Sequence, residues 1–384
     1  MSLLRTPPSK LPDVGTTIFT VMSKMAAEND AINLSQGFPD FKVADQLITS
    51  VNRYMAKGMN QYAPMAGVPA LRERIAEMSA RDYGFTADPE KHITITAGAT
   101  EALYAVMAAI VREGDEVIVF DPAYDSYDPA IRLNGGVPVH LKLKQPDFSI
   151  DWEEVKSRLN GKVSAIIINT PHNPSGAILR HQDLVTLEEI ATEHDLIVIS
   201  DEVYQHIIFD EERHESVLRY PGLRERSVAA FSFGKTFHAT GWKVGYTIAP
   251  EWLTTEIRKI HQYLTFSVNT PVQYALADYL SEPDHYLALP NFFQKKRDHF
   301  LALVKDSRFK TIDCTGTYFQ LLSYDGISEL DDRAMAEELT KKHGLASIPI
   351  SVFYKDAQDD KLLRFCFAKS DETLEKAAEI LCKI

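Results

Sequence analysis

Five short apolar runs, each followed by small, polar or aromatic groups, constrain this chain more than any other feature. They span residues 92–96, 117–120, 163–169, 196–200 and 228–231. Apolar runs of this length read as buried strands. Helical patterns lie between them, with Leu103, Val106, Met107, Ile110 and Val111 on one face of the first and a longer stretch over residues 179–194. Strands joined in this way are crossover-connected and mostly parallel. In an open α/β sheet of that kind the ligand crevice lies at the carboxyl ends of the strands. The groups found there are Gly98, Ala99 and Thr100; Tyr124; Asn173; Asp201 with Tyr204; and Ser232 with Lys235. A further apolar run, residues 137–143, reads as a peripheral strand.

Each strand end admits a chemical reading and a plain one. Lys235 follows Ser232, Phe233 and Gly234 in a tight connection, with Lys243 eight residues on. A lysine in an apolar site loses hydration of its charge, so its pKa falls and the amine becomes a Schiff-base nucleophile; a surface lysine is the plain alternative. The small-residue turn at Gly98–Thr100 exposes N–H groups at a helix start, an anion site, or is a simple strand–helix turn. Tyr124 can stack on a planar group or pack in a core. Asp201 and Glu202, adjacent acids at a buried strand end, are costly unless paired; Asp201 can meet a protonated ring nitrogen or cap a helix. Asn173 can donate to a phenolate or a carboxylate, and the Asn173–Pro174 bond is expected to be cis. Gly37 allows close backbone approach to a ligand or is loop punctuation. Arg364 sits among apolar residues of a run over 362–367. It needs a planar anion there, unless it faces water on an edge strand.

Composition excludes other classes. A net charge of −13, with no basic stripe to offset it, opposes nucleic acid as a partner. The three cysteines, Cys314, Cys366 and Cys382, are scattered, without metal or redox spacing, and point to a cytosolic protein and no metal site. No apolar run approaches the ~20 residues of a membrane span, and the N-terminal stretch lacks the apolar segment of a signal peptide. The pattern after residue 283 reads as a second α/β unit. The expected division is residues 1–45 as an arm and part of a small domain, 46–283 as the large domain and 284–384 as the small one.

Together, Ser232-Phe233-Gly234-Lys235, Ser200-Asp201-Glu202-Val203-Tyr204, Asn173-Pro174-Ser175-Gly176, Gly241-Trp242-Lys243-Val244-Gly245 and Arg364 resemble fold-type I pyridoxal-phosphate-dependent aminotransferases of class I/II. Residues 33–40, 60–64 and 261–273 are most similar to the methionine, kynurenine and glutamine aminotransferase branch, and to bacterial methionine aminotransferases within it. The resemblance implies an α/β fold with a mostly parallel seven-stranded sheet and a smaller α/β domain. It implies a cytoplasmic homodimer with shared active sites, using pyridoxal 5'-phosphate to move an amino group from an L-amino acid to a 2-oxo acid. Lys235 is then the lysine that binds the cofactor and carries the proton. Asp201 meets the pyridine nitrogen, Tyr204 and Asn173 meet the phenolic oxygen, and Tyr124 stacks on the ring. Gly98, Ala99, Thr100, Ser232 and Lys243 hold the phosphate, joined by Tyr62 from the neighbouring subunit. Arg364, Gly37 and Asn173 hold the substrate carboxylate. Lys243 stands where many relatives carry Arg, which the resemblance reads as a branch marker.

Residues 261–273 contain no arginine to bind a second carboxylate. With Ile18, Phe19, Phe38, Tyr62 and Phe266, this predicts an apolar pocket for methionine, an aromatic residue, histidine or kynurenine. Three alternatives remain: a lyase on cysteine S-conjugates or cystathionine, which shares every residue named; a DNA-binding regulator on this scaffold, opposed by the charge; and a nicotinamide enzyme, which lacks the G-x-G-x-x-G fingerprint.

Overall fold

The computed structural model describes residues 7–384. A seven-stranded sheet runs in the spatial order Ile93–Thr96, Gly245–Ile248, Ser227–Ser232, Ile197–Asp201, Val163–Asn169, Glu116–Asp121 and Val137–Lys142. Neighbours are parallel except around Gly245–Ile248, which is antiparallel to both its partners. The five apolar runs are therefore strands of one sheet, and the peripheral run is its edge. The antiparallel strand follows from its connection. Residues 233–244 are spent on the short turns Phe233–Thr236 and Thr240–Trp242, with no crossover helix to bring the chain back parallel.

Strand alternation divides the apolar side chains between two layers. Val117, Val119, Ile167, Ile199, Val228 and Ala230 pack with Ala102, Leu103, Ala105 and Val106 of helix Ala99–Ile110 on one face. Ile118, Phe120, Ile166, Ile168, Val198, Ala229 and Phe231 join the core on the other face. Both faces are covered, which is why the central strands read as continuous apolar runs rather than alternating ones.

A second, antiparallel sheet has the order Ile348–Pro349, Leu362–Cys366, Phe319–Ser323, Lys310–Thr311. The N-terminal part packs with this unit: Ile32–Asn33 pairs in parallel with Leu345–Ala346, and Cys366 N–H donates to Leu34 O. That pairing carries residues 34–41 across to the large sheet. Two helices, Glu251–Leu264 and Thr270–Tyr279, follow the antiparallel strand. Asn173–Pro174 is cis, as are Thr170–Pro171, Asp121–Pro122 and Gln145–Pro146. Among the described residues no helix is long and apolar enough to cross a membrane.

Candidate active site

A cavity of about 300 Å³ lies at the carboxyl ends of the parallel strands, closed on its far side by Arg364 and Phe319 of the second sheet. The register brings its polar groups together. Asn169 pairs with Asp201, Asp201 with Ala230, and Ser232 and Thr96 both face Gly245.

Lys235 sits on the turn Phe233–Thr236 that ends its strand. Its Nζ donates to Gly37 O at 3.0 Å and lies 5.6 Å and 5.7 Å from the ring centres of Tyr204 and Tyr318. Burial pushes the amine down to about 8, with the nearby Arg364 and Lys243 charges acting in the same direction. Asp201 is 4 % exposed. Its Oδ2 accepts from Tyr127 Oη at 2.6 Å and its Oδ1 from Val203 N–H at 3.3 Å. Burial nonetheless pushes this carboxyl up to about 6.

On the anion side, Gly98 adopts φ +79° ahead of helix Ala99–Ile110. This left-handed backbone suits glycine, and a Cβ there would come within 3.2 Å of Lys243 Nζ. The first-turn N–H groups of Ala99 and Thr100 have no partner within the helix. With Lys243, Ser232 and Thr240 they form a cationic cradle at the helix start. Tyr124 lies on the cavity wall, its phenol pushed up to about 12 by burial.

On the opposite side, Arg364 is fully buried in an interior strand, not exposed on an edge. Its Nη1 donates to Asn173 Oδ1 at 2.6 Å and its Nη2 to Ser35 O at 3.0 Å, while Nε has no partner among the described residues. The guanidinium lies 3.8 Å from the Phe319 ring centre. Gly37 passes so close to that ring that a Cβ would meet Phe319 Cζ at 2.8 Å.

The cavity thus gathers Gly37, Phe38, Gly98, Ala99, Thr100, Tyr124, Asn173, Asp201, Tyr204, Ser232, Lys235, Lys243 and Arg364. It does not gather Ile18, Tyr62 or Phe266. Ile18 packs on the core, and its neighbour Phe19 lines the cavity instead. Tyr62 is 82 % exposed, its ring edge-on to Phe266 at 5.3 Å. Besides Thr240, three contributors lie outside what the sequence marked. Asn169 joins two loops, its Nδ2 donating to Asp201 O and its Oδ1 accepting Asn173 N–H; its signal was a polar residue closing an apolar run. Tyr127 and Tyr318 carry no local signal, because a buried tyrosine near a strand or helix end is ordinarily core.

These groups fit one cofactor chemistry. They comprise a desolvated amine, a buried carboxylate for a ring nitrogen, amide and phenol donors, an aromatic wall and a cradle for a phosphate. The sequence family described as aminotransferase class I and II matches residues 29–381. This chain belongs to that family. The aminotransferase is 54 % identical to methionine aminotransferase of Escherichia coli K12, over 98 % of this chain and 97 % of the relative. It is 36 % identical to a probable N-succinyldiaminopimelate aminotransferase of Mycobacterium tuberculosis, over 96 % of each. The crystal structure of Escherichia coli YbdL, for which a methionine aminotransferase function was identified, superposes with a TM-score of 0.97 at 53 % identity, over 99 % of this chain and 100 % of that one. The aminotransferase is an enzyme that moves amino groups with pyridoxal phosphate, on an α/β fold-type I scaffold.

Proposed function

We propose that this aminotransferase takes methionine or another large neutral L-amino acid as donor, and works as a homodimer whose subunits share their active sites. The observation that carries the donor preference is the cation inventory of the cavity. Its lining cations are Lys235, Lys243 and Arg364, with two roles at the cofactor and one at the substrate α-carboxylate. Nothing in the lining is left for a second carboxylate. Arg258 is consumed within its own chain, donating to Thr94 Oγ1, Glu90 O and Ile93 O. The rest of the wall carries Phe19, Phe38, Leu103, Val203 and Phe319, with the uncharged Gln36 donating to Phe19 O. The 54 % identity to a methionine aminotransferase supports the same reading.

The roles follow from the geometry. Arg364 binds the substrate α-carboxylate, since a buried guanidinium with a free Nε and only neutral oxygens as hydrogen-bond acceptors favours an anion. Asn173 has its Oδ1 held by Arg364, so its amide nitrogen is the end left to donate to the cofactor's phenolic oxygen, beside Tyr204 Oη. The N–H groups of Ala99 and Thr100, with Gly98 giving them room, hold the phosphate together with Ser232 and Lys243. Asp201, with Tyr127 fixing its orientation, holds the proton on the ring nitrogen. Pyridoxal phosphate, when bound, supplies a ring that takes up the electron pair of the substrate α-carbon. Lys235 removes the α-proton and returns it; with its amine near 8, both proton states are within reach at working pH. Gly37 O gives Nζ a resting partner between these steps. Tyr62 and Phe266, exposed and outside their own cavity, reach the partner's site, with Tyr62 at its phosphate.

The test is a visible spectrum of the holoenzyme before and after adding L-methionine without a 2-oxo acid. Loss of the lysine-bound cofactor band supports methionine as donor. Faster loss with L-aspartate under matched conditions overturns the preference. Release of ammonia from the donor instead of amino transfer would point to lyase chemistry.

A further inference from the structure

Two side chains behind the phosphate turn, the buried His261 and the half-buried Glu101, have no part in the reaction above. Glu101, in the first turn of Ala99–Ile110, accepts the Ala97 N–H through Oε2 at 3.0 Å. Its Oε1 meets His261 Nδ1 at 3.0 Å. His261 is 0 % exposed, and its Nε2 meets Met65 O at 3.1 Å. A carboxylate oxygen and a carbonyl oxygen both accept, so the ring donates at both ends when both bonds are made. The result is a continuous run of hydrogen bonds from the turn that cradles this subunit's phosphate to the loop that carries Tyr62.

That loop is fastened elsewhere too. Ser267 Oγ donates to Ala63 O at 3.0 Å, Thr270 Oγ1 to Gln61 O at 2.6 Å, and Val68 N–H to Gln273 Oε1 at 2.8 Å. His261 continues to the phosphate turn through a side chain, and Ile95 N–H, in the strand that leads into that turn, donates to Ala66 O of the same loop at 3.0 Å. A loop so firmly held still presents Tyr62 at 82 % exposure. Tyr62 and Phe266, the latter 47 % exposed, lie edge-on to each other and form an apolar patch that this chain does not itself cover.

We propose that Glu101 and His261 are positioning residues that couple the two active sites of the dimer, by tying the phosphate turn of one subunit to the Tyr62 loop that completes the other. This rests on the reading that Tyr62 serves the partner's phosphate. A bound phosphate orders the turn at Ala97. Glu101 and His261 pass that order to Met65 O and so to the neighbour's cofactor.

Heterodimers separate this coupling from a local role. One subunit carries Lys235→Ala and is dead; the other is wild type and holds the only lysine-bound cofactor. His261→Asn is placed on the dead subunit, and release of cofactor from the live site is followed by its visible band after dilution. Release faster by about fivefold or more is expected. Glu101→Gln, which keeps the size and removes the charge, is measured alongside; melting of both heterodimers shows that each is folded. Release at the wild-type rate in both heterodimers, with acceleration only when the variant is on the live subunit, overturns the coupling. Tyr62→Phe on the dead subunit is the companion measurement. If it accelerates release and His261→Asn does not, the coupling alone fails. If it changes nothing, the cross-subunit reading of Tyr62 fails and takes the coupling with it.

Discussion

The cavity buries a carboxylate at one end and a guanidinium at the other, and the chain treats them differently. Asp201 is satisfied by its own surroundings: Tyr127 Oη and Val203 N–H both donate to it. Arg364 is more deeply buried, yet meets only the neutral oxygens of Asn173 and Ser35 and leaves Nε free. Burying a charge without a counter-charge is costly. The Asp201 end takes its hydrogen bonds from within the chain, while the Arg364 end keeps a donor, Nε, that no group of the chain meets. In the function proposed above, the first would hold the cofactor and the second the substrate.

Variants can break this contrast, beginning with the group between the two ends. Lys235→Ala removes the proton carrier, and transamination should fall by about 10⁴-fold while cofactor still binds without a covalent link; full activity would overturn the central assignment. Arg364→Met should separate function from stability. KM for the amino acid should rise by about 10- to 100-fold, as loss of a charge-assisted pair implies. The cofactor-free protein, however, should melt no lower than wild type, because removing an uncompensated buried charge is neutral or favourable. A large fall in melting temperature would show that Arg364 is a structural residue after all.

The pH dependence of stability sharpens the same comparison in the cofactor-free protein. Asp201 is raised from near 3.8 to about 6, so between those values the folded state holds the extra proton and stability falls as pH rises. Lys235 is lowered from near 10.5 to about 8, so between those values the unfolded state holds the extra proton and stability rises with pH. Each limb amounts to about 3 kcal/mol at most. Asp201→Asn should flatten the acid limb and Lys235→Met the alkaline one in denaturant titrations. The smallest effect is expected from Tyr127→Phe, which removes one donor from Asp201 and should cost about 1–2 kcal/mol of transition-state stabilisation. Its pH–rate profile should shift on the acid side, since Asp201 is then easier to protonate.

Legibility in the sequence followed the range of the interactions. Residues 163–169 and 196–200 were plain as strands because burial on both faces leaves an unbroken apolar run. Lys235, Asp201 and Asn173 stood out because each closes such a run. Of the two neighbours expected in the pocket, Phe19 lines it and Ile18 does not, because helix rotation cannot be set by sequence to within one residue without knowing what the helix packs on. Tyr127 looked like core because its donor role depends on Asp201, seventy-four residues away. Tyr318, whose Oη donates to Gly37 O at 2.7 Å, comes from the other sheet and has no local mark at all.

From residue order alone came the parallel sheet, the row of polar groups along one edge of it, and a lysine and an acid that each follow an apolar run. Those rest on periodicity and on neighbours a few residues apart. Tertiary structure decided which groups meet across the cavity: Arg364 with Asn173, Gly37 against the Phe319 ring, Tyr127 on Asp201, and Glu101 through His261 to Met65. Most of these contacts join segments more than a hundred residues apart, and all depend on how sheets, helices and loops pack, which no local pattern encodes.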